Sequence, residues 1–209
     1  MSKCDYCGIH ACSKGDIEKF PANCPSRDEE LQQQSKVLYQ EEENHKLAYH
    51  SAMLNAYGRE RKTRVEETIE FLKACGYRHI GVAFCHGLRK ETKIFTNLLR
   101  ENGFQVTAII CKNCALPKES LGIDTSNPRL DKKTLCNPIG QALFLNQMKT
   151  EFNILLGLCV GHDTLFMKYS EAPTTVLAVK DRVTGHNPLV PLYLEESFYK
   201  QILHEEKKD

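Results

Sequence analysis

Cysteine dominates the chemistry that this sequence offers. The chain has 10 cysteines among 209 residues, and a thiolate is both a nucleophile and a soft ligand for zinc or iron. The N-terminus has no apolar segment typical of a signal peptide, and no apolar run reaches membrane-spanning length. We therefore expect a cytoplasmic protein, since that reducing compartment disfavours disulfides and favours metal or redox roles for cysteine.

Four cysteines lie close together at the start of the chain. They are spaced as Cys4-x2-Cys7-x4-Cys12-x11-Cys24, and Pro25 follows the last of them. A CxxC pair places two thiolates on one ion or cluster from a tight turn, and the other two cysteines complete a four-ligand shell. Structural zinc usually shows two short-spaced pairs, whereas this segment has one. The spacing favours an iron–sulfur cluster, with zinc as the alternative.

Five further cysteines are dispersed along the chain and form a second candidate site. They are Cys85, Cys111, Cys114, Cys136 and Cys159. Cys85, Cys136 and Cys159 each come just before a predicted helix, whose N-terminus lowers the pKa of a thiol. His86 and His162 directly follow two of these cysteines and are candidate ligands or proton carriers. The alternative is that these cysteines are small hydrophobic residues at the ends of buried strands.

Strands and helices alternate in the second half of the chain. The predicted strands are residues 79–85, 104–111, 153–159 and 174–180, and the helices between and before them are 64–77, 88–103, 137–151 and 162–171. Such alternation indicates right-handed crossovers and a parallel sheet covered on both faces. We predict an α/β fold, a small three-layer Rossmann-like sandwich with four parallel strands in the order 2-1-3-4.

That strand order predicts where the dispersed cysteines lie. The first and third strands become neighbours, and their carboxyl ends define the crevice where such folds bind ligands. Cys85 and Cys159 should meet there, with Cys111 and Cys114 beside them. Lys180, at the end of the fourth strand, should lie on the same rim. The long polar loop at 112–135 should overhang the crevice.

Composition and missing motifs narrow the domain organisation and the partners. We expect a cysteine-rich metal-binding knot at 1–26, a helical connector at 27–60 and the Rossmann-like domain at 61–209. The net charge of +1 argues against nucleic acid or an anionic membrane as the main partner. Nucleotide-binding, zinc-protease and serine-hydrolase signatures are missing. A small molecule or a redox partner is therefore expected, and no feature indicates an oligomeric state.

Several motifs resemble those of an uncharacterised family of predicted metal-binding proteins, found mostly in anaerobic bacteria and archaea. They are CDYCGIHAC with CP further on, CNPIGQA, GLCVGHDTLF and KDRVTGHNP, and they span nearly the whole chain. The resemblance implies metal binding and carries no established reaction. The anaerobic setting that it implies favours oxygen-sensitive clusters over zinc.

Together these features predict an iron–sulfur protein with one or two [4Fe-4S] clusters. Its cysteine-lined crevice would perform redox or thiol and sulfur chemistry on an unknown substrate. The alternatives are a zinc-stabilised binding module without catalysis and a sensor whose Cys111-x2-Cys114 pair cycles between dithiol and disulfide. The spacing of the sulfurs separates the metals, because sulfurs on one zinc ion lie within roughly 4 Å of each other. A cubane binds each cysteine through a different iron, which requires a wider spacing.

Overall fold

The structure is a computed structural model that describes residues 4–124, 126 and 134–204. The chain divides into two compact units, residues 1–59 and residues 60–209. Within the described ranges, no helix combines the length and the apolar character needed to cross a membrane.

The first unit consists of short turns followed by two helices. Its elements are 3-10 turns at Cys4–Tyr6, Ile17–Lys19 and Pro25–Arg27, and helices α1 (Ala11–Lys14), α2 (Glu29–Leu38) and α3 (Glu42–Gly58). The helical connector predicted at 27–60 therefore contains two helices, and the Asn44 amide bridges the break by donating to Leu38 O at 3.0 Å. Ala11 and Gly58 are the only buried residues in the part of this unit that is described.

The second unit alternates helices and strands as predicted. Its elements are α4 (Arg64–Ala74), β1 (His79–Phe84), α5 (Arg89–Glu101), β2 (Gln105–Ile110), α6 (Pro138–Gln147), β3 (Phe152–Leu158), α7 (His162–Tyr169) and β4 (Thr174–Val179), followed by the short helices α8 (Val190–Tyr193) and α9 (Lys200–Leu203). All strand pairs are parallel, and the order is β2-β1-β3-β4. The predicted α/β fold and strand order are confirmed.

Local sequence signals begin the helices that support the sheet. Thr63 and Glu66 form a capping box at the start of α4, which satisfies two backbone N–H groups that the helix leaves unpaired. Asn137 caps α6 by accepting the Gly140 N–H at 2.9 Å, and Pro138 takes the first helical position, as the sequence predicts. The start of α6 is thus fixed immediately after Cys136.

The central strand β3 shows how the two faces of the sheet are used. All seven of its residues are buried, as expected for a parallel strand covered on both faces. Leu155 packs with Leu145 of α6 and Phe166 of α7. The next residue, Leu156, points to the opposite face, where it lines a cavity between α4 and α5. Helices α6 and α7 therefore cover one face, and α4 and α5 lie on the other.

Candidate functional site

Three thiols meet at the carboxyl edge of the sheet. Cys85 follows β1 and Cys111 follows β2, and the pairing of Phe84 with Ile110 makes these two cysteines neighbours in register. Their side chains are hydrogen-bonded, and the sulfur of Cys136, just before α6, lies 3.7 Å from the sulfur of Cys111. Cys85 is 7% exposed and Cys111 3% exposed. We call Cys85, Cys111 and Cys136 the thiol cluster.

The surroundings of Cys85 hold its side chain as a thiolate. The hydrogen bond from the Cys111 thiol is the largest cause that lowers the pKa of Cys85, to about 5. The Gly87 backbone N–H, whose nitrogen lies 3.4 Å from the sulfur, and the positive charge of Lys180 act in the same direction, against the effect of burial. Cys85 is therefore ionised at neutral pH, and a thiolate is the reactive form of cysteine.

The same contact has the opposite effect on Cys111. Its hydrogen bond to Cys85 and its burial raise the pKa of Cys111 well above the usual range of a thiol. The His86 N–H donates to the Cys111 sulfur at 3.3 Å, which works against this rise without reversing it. Cys111 therefore stays protonated and serves as the donor while Cys85 carries the charge.

A polar network fixes the segment that carries Cys136 against β2. The Asn137 N–H donates to Cys111 O at 2.7 Å. The Asn113 amide donates to Asn137 O at 3.0 Å and to Ile110 O at 2.9 Å. These bonds hold the start of α6 at the end of β2. The distance between the Cys111 and Cys136 thiols is therefore set by contacts of the backbone.

Gln141 ties α6 to the two strands that carry the reactive thiols. Its side chain is fully buried, and its amide nitrogen donates to Ile109 O at 2.8 Å and to Phe84 O at 3.3 Å. Its side-chain oxygen is buried without a hydrogen-bond partner among the described residues. Sequence analysis did not single out Gln141, although it lies in the CNPIGQA motif.

Two glycines leave room for Lys180 to reach Cys85. Gly157 has φ +69°, and a Cβ there would lie 2.2 Å from Leu88 Cδ1 and 3.4 Å from Lys180 Nζ. A Cβ at Gly87 would lie 3.6 Å from Lys180 Nζ and 3.9 Å from Cys85 Sγ. A Cβ at Gly157 would overlap Leu88, whereas at both positions the distance to Lys180 Nζ is that of ordinary van der Waals contact, so the ammonium group lies directly against both glycines.

Cationic side chains surround the thiols at this edge of the sheet. Arg182 Nη2 lies 3.8 Å from the sulfur of Cys159, and Arg89 Nη1 lies 2.9 Å from His86 Nδ1. None of the ion pairs between described residues involves Lys180, Arg182 or Arg89. Within the described ranges, no carboxylate forms an ion pair with these three side chains, and the edge therefore suits an anionic group.

The remaining predicted residues lie nearby without joining the thiol cluster. Cys114 is exposed and has φ +67° within a 3-10 turn, Asn113–Ala115. His162 is the first residue of α7, and its N–H donates to Cys159 O at 2.9 Å. No hydrogen bond in the described part of the chain links Cys114 or Cys159 to the cluster. The predicted loop at 112–135 lies partly outside the described residues, which omit 125 and 127–133.

The sulfur spacing bears on which group the thiol cluster suits. No set of three or more His, Cys, Asp or Glu side chains within the described ranges is arranged to hold a metal ion. The separation of 3.7 Å between Cys111 and Cys136 is that of thiols in direct contact, or of sulfurs on one zinc-like ion. It is narrower than a [4Fe-4S] cluster requires. This spacing suits thiols in direct contact or a single zinc-like ion, and an iron–sulfur cluster at this site stays a prediction.

The N-terminal cysteines offer a different donor set. The Cys7 sulfur accepts backbone N–H groups of His10 and Ile9, which lower the pKa of this thiol. Cys4 and Cys12 are exposed, and Cys7 and Cys24 are partly exposed. Four soft sulfur donors within one short segment suit a thiophilic metal such as zinc or iron. A metal shell formed by these four residues stays a prediction.

Comparison with known proteins places this chain in a family. Residues 24–177 match the family described as "Protein of unknown function (DUF1847)". The chain belongs to the DUF1847 family. It is also 42% identical over 192 residues to the uncharacterized protein MJ0455 of the archaeon Methanocaldococcus jannaschii, a match that covers 91% of this chain and 93% of that protein. The predicted membership of an uncharacterised family with archaeal representatives is confirmed.

The part of the chain that matches DUF1847 contains the whole thiol cluster. It also includes Cys24 and Gln141, whereas the first three N-terminal cysteines precede it. The loop that follows β4 and carries Lys180 and Arg182 comes after the matched residues. The DUF1847 region therefore contains the three thiols and Arg89, and the segment beyond it contributes Lys180 and Arg182.

Proposed function

We propose that this protein performs thiol exchange with sulfur compounds, with Cys85 as the nucleophile and Cys111 as the resolving thiol. The observation that carries the proposal is the contact between them. Cys85 is held as a thiolate by the thiol of its in-register neighbour. A low-pKa thiolate with a second thiol in contact is the arrangement that disulfide exchange requires.

The reaction proceeds in two steps whose atoms and electrons balance. The Cys85 thiolate attacks one sulfur of a disulfide substrate, so that a bond from Cys85 to that sulfur forms, the substrate S–S bond breaks and one thiolate leaves. Cys111 then loses its proton to solvent and attacks the Cys85 sulfur. A Cys85–Cys111 disulfide forms, and the second substrate thiolate leaves. Two electrons pass from the protein to the substrate, which is itself the oxidant.

The pKa values of the two cysteines order these steps. The hydrogen bond to the Cys85 thiolate is the largest cause of the raised pKa of Cys111. Once Cys85 is bonded to substrate sulfur it has no charge, and it no longer raises the pKa of Cys111. Cys111 then ionises more readily at the moment when its nucleophilicity is needed. A persulfide substrate undergoes the first step alone, in which its outer sulfur moves to Cys85 and a thiol leaves.

The spacing of the two strands supports the formation of this disulfide. Cys85 and Cys111 each extend paired strands by one residue, and neighbouring strands lie about 4.8 Å apart. That distance falls within the roughly 4.4–6.8 Å between the Cα atoms of a disulfide. Lys180 and Arg182 favour a substrate that carries negative charge, because they lie at this edge and form no ion pair with a carboxylate among the described residues.

Peptide mapping after limited oxidation tests the proposal. The fully reduced protein is treated at pH 6 with less than one equivalent of oxidised glutathione, quenched with acid and digested. We expect a Cys85–Cys111 disulfide in the wild-type protein and a Cys85–glutathione disulfide in Cys111→Ser. Cys114→Ser, which removes an exposed thiol, is the matched control and should behave as wild type. Preferential modification of another cysteine would refute the role of Cys85.

The N-terminal segment supports a second function, metal binding by Cys4, Cys7, Cys12 and Cys24. Between residues 4 and 28, Ala11 is the only buried residue, so this segment has no apolar core to hold it together. Metal binding supplies folding free energy to such segments, and an iron–sulfur cluster or zinc ion is the group we propose. Metal and sulfide analysis of anaerobically purified protein distinguishes the two. Protein without iron or zinc would contradict this second function.

A further inference from the structure

An open pocket, which we call the cavity, lies on the face of the sheet opposite the helices that pack on the thiol cluster. Helices α4 and α5 leave a space of about 460 Å³ between them, over β3 and β4. Leu156, Leu177 and Ala178 of the sheet line this space, and Ile94, Phe95 and Leu98 of α5 line it from the side. Its volume falls within the range of small-molecule sites, and its lining is mostly apolar.

One histidine lines this cavity in a fixed orientation. The Asp181 N–H donates to His186 Nδ1 at 3.0 Å, so Nδ1 is the acceptor and Nε2 carries the proton. The His186 N–H in turn donates to Asp181 O at 2.8 Å. The ring is thus held as one tautomer, and its Nε2–H is a hydrogen-bond donor that a ligand in the cavity can use.

The loop that carries His186 has an energetically unfavourable backbone conformation. His186 has φ +72° and Gly185 before it has φ +65°. The left-handed region is uncommon for a residue with a Cβ, and such conformations persist where the surroundings enforce them, often at functional sites. Here the Asp181 carboxylate accepts the N–H groups of Val183 and Thr184 at 2.9 and 3.0 Å. The KDRVTGH stretch therefore builds a rigid support for one imidazole ring.

The charges around the cavity are compatible with an uncharged ligand. The Arg64 guanidinium is already engaged, because it donates to Val176 O at 2.9 Å and to Thr175 Oγ1 at 3.1 Å. Glu91 also lines the cavity, so the lining includes one residue of each charge sign. The lining therefore favours no particular net charge in a ligand, whereas a neutral acceptor would find the His186 donor.

We infer that this cavity binds a small, uncharged, mostly apolar molecule that carries a carbonyl oxygen. The apolar part lies against Leu156, Leu177 and Phe95, and the carbonyl accepts the His186 Nε2–H. The site lies on the opposite face from the thiol cluster and does not depend on thiol exchange. The thiol chemistry involves only Lys180 and Arg182 of the KDRVTGH stretch. Ligand binding by His186 would account for the rest of that stretch.

A homologous series of methyl ketones tests both parts of the site. Titration calorimetry of the full-length protein with 2-butanone through 2-octanone measures how affinity depends on chain length. We expect the affinity to rise about fourfold per methylene while the cavity has room, the value for burial of one CH₂ group. His186→Phe should weaken all the ketones by a similar factor, about fivefold or more, without changing the dependence on chain length.

Two alanines provide a matched pair of variants. Ala178→Leu fills the cavity from β4, whereas Ala108→Leu adds the same side chain at an exposed position of β2. We expect the first to abolish the dependence on chain length and the second to leave it unchanged. An affinity that does not vary with chain length in the wild-type protein, or that survives Ala178→Leu, would overturn the inference.

Discussion

Removal of the Cys111 thiol should raise the pKa of Cys85 and slow its reaction in mild acid. The hydrogen bond from Cys111 is the largest cause of the lowered pKa, and a hydrogen bond to a charged group contributes about 1.5–3 kcal/mol. Since one pKa unit corresponds to about 1.4 kcal/mol, Cys111→Ala should raise the pKa of Cys85 by about 1–2 units, from about 5 to between about 6 and 7. The thiolate reacts, so the rate falls as the pH drops through this pKa.

Pulsed alkylation with iodoacetamide measures this change at one residue. At pH 5.5, about three-quarters of Cys85 is ionised in the wild-type protein if its pKa is about 5. A pKa near 6.5 in Cys111→Ala leaves about a tenth of Cys85 ionised at this pH. When each alkylation rate is divided by its own maximum at high pH, the variant should therefore react about eightfold more slowly than the wild-type protein at pH 5.5. Peptide mass spectrometry follows Cys85 over pH 4 to 9. The exposed thiol of Cys114 is followed in the same samples as a reference.

A matched variant shows whether the effect belongs to the direct contact. Cys136 contacts Cys111 and stands one thiol further from Cys85, so Cys136→Ala should change the midpoint for Cys85 by less than half as much. An unchanged midpoint in Cys111→Ala, or an equal shift in both variants, would refute the reasoning. An unchanged midpoint would mean that the Gly87 N–H and Lys180 lower the pKa of Cys85, and an equal shift would mean that the effect is not specific to the direct contact.

Three further predictions concern the surroundings of the thiols. Lys180→Met should lower the rate ratio of iodoacetate to iodoacetamide at the nucleophilic thiol about threefold or more at low salt, and an unchanged ratio would exclude anion selection by this residue. Gly157→Ala should lower the free energy of unfolding by about 2–5 kcal/mol, because it combines a left-handed backbone with overlap against Leu88. Gly76→Ala, with φ +74° and open space around it, should cost only about 1–2 kcal/mol in chemical denaturation, and equal losses would argue against the overlap. Cys7→Ser should release bound metal and make the N-terminal segment protease-sensitive, whereas unchanged metal content and protection would exclude Cys7 as a ligand.

The strand order could be predicted from the sequence because the alternation of apolar strands and helices occurs several times along the chain. Four apolar runs separated by helical segments leave few arrangements of a parallel sheet. The position of a cysteine directly after β1 and another directly after β2 then implied that Cys85 and Cys111 share an edge, and the structure brings their thiols into contact. Asn137 and Pro138 likewise carried their own signal for the start of α6.

The details that sequence left open depend on register and local backbone. Because Phe84 pairs with Leu156, Cys85 lies opposite Gly157, and Cys159 comes two residues later, just after the end of β3. The structure places the Cys159 thiol beside Arg182. Such offsets arise from strand lengths and from the irregular pairing of β3 with β4, which apolar patterning does not specify.

Gln141, which has a structural role, and His186, which has a proposed one, had no signal in composition or spacing. Gln141 stands alone among apolar neighbours on α6, and its role depends on carbonyl groups of two strands that are distant in the chain. His186 depends on a left-handed backbone and on one hydrogen bond from Asp181. Neither arrangement follows from a local pattern, so only the three-dimensional structure reveals them.

The identity of the reactive thiol is the most direct test of the proposed chemistry. A panel of ten single Cys→Ser variants, one for each of the 10 cysteines, is mixed in stopped flow with substoichiometric 4,4′-dithiodipyridine at pH 6, and thiopyridone release is recorded. We predict that the wild-type protein shows a fast phase that is lost in Cys85→Ser and slowed in Cys111→Ser, while Cys114→Ser and Cys159→Ser retain it. A fast phase that survives in Cys85→Ser would contradict the assignment of Cys85 as the nucleophile.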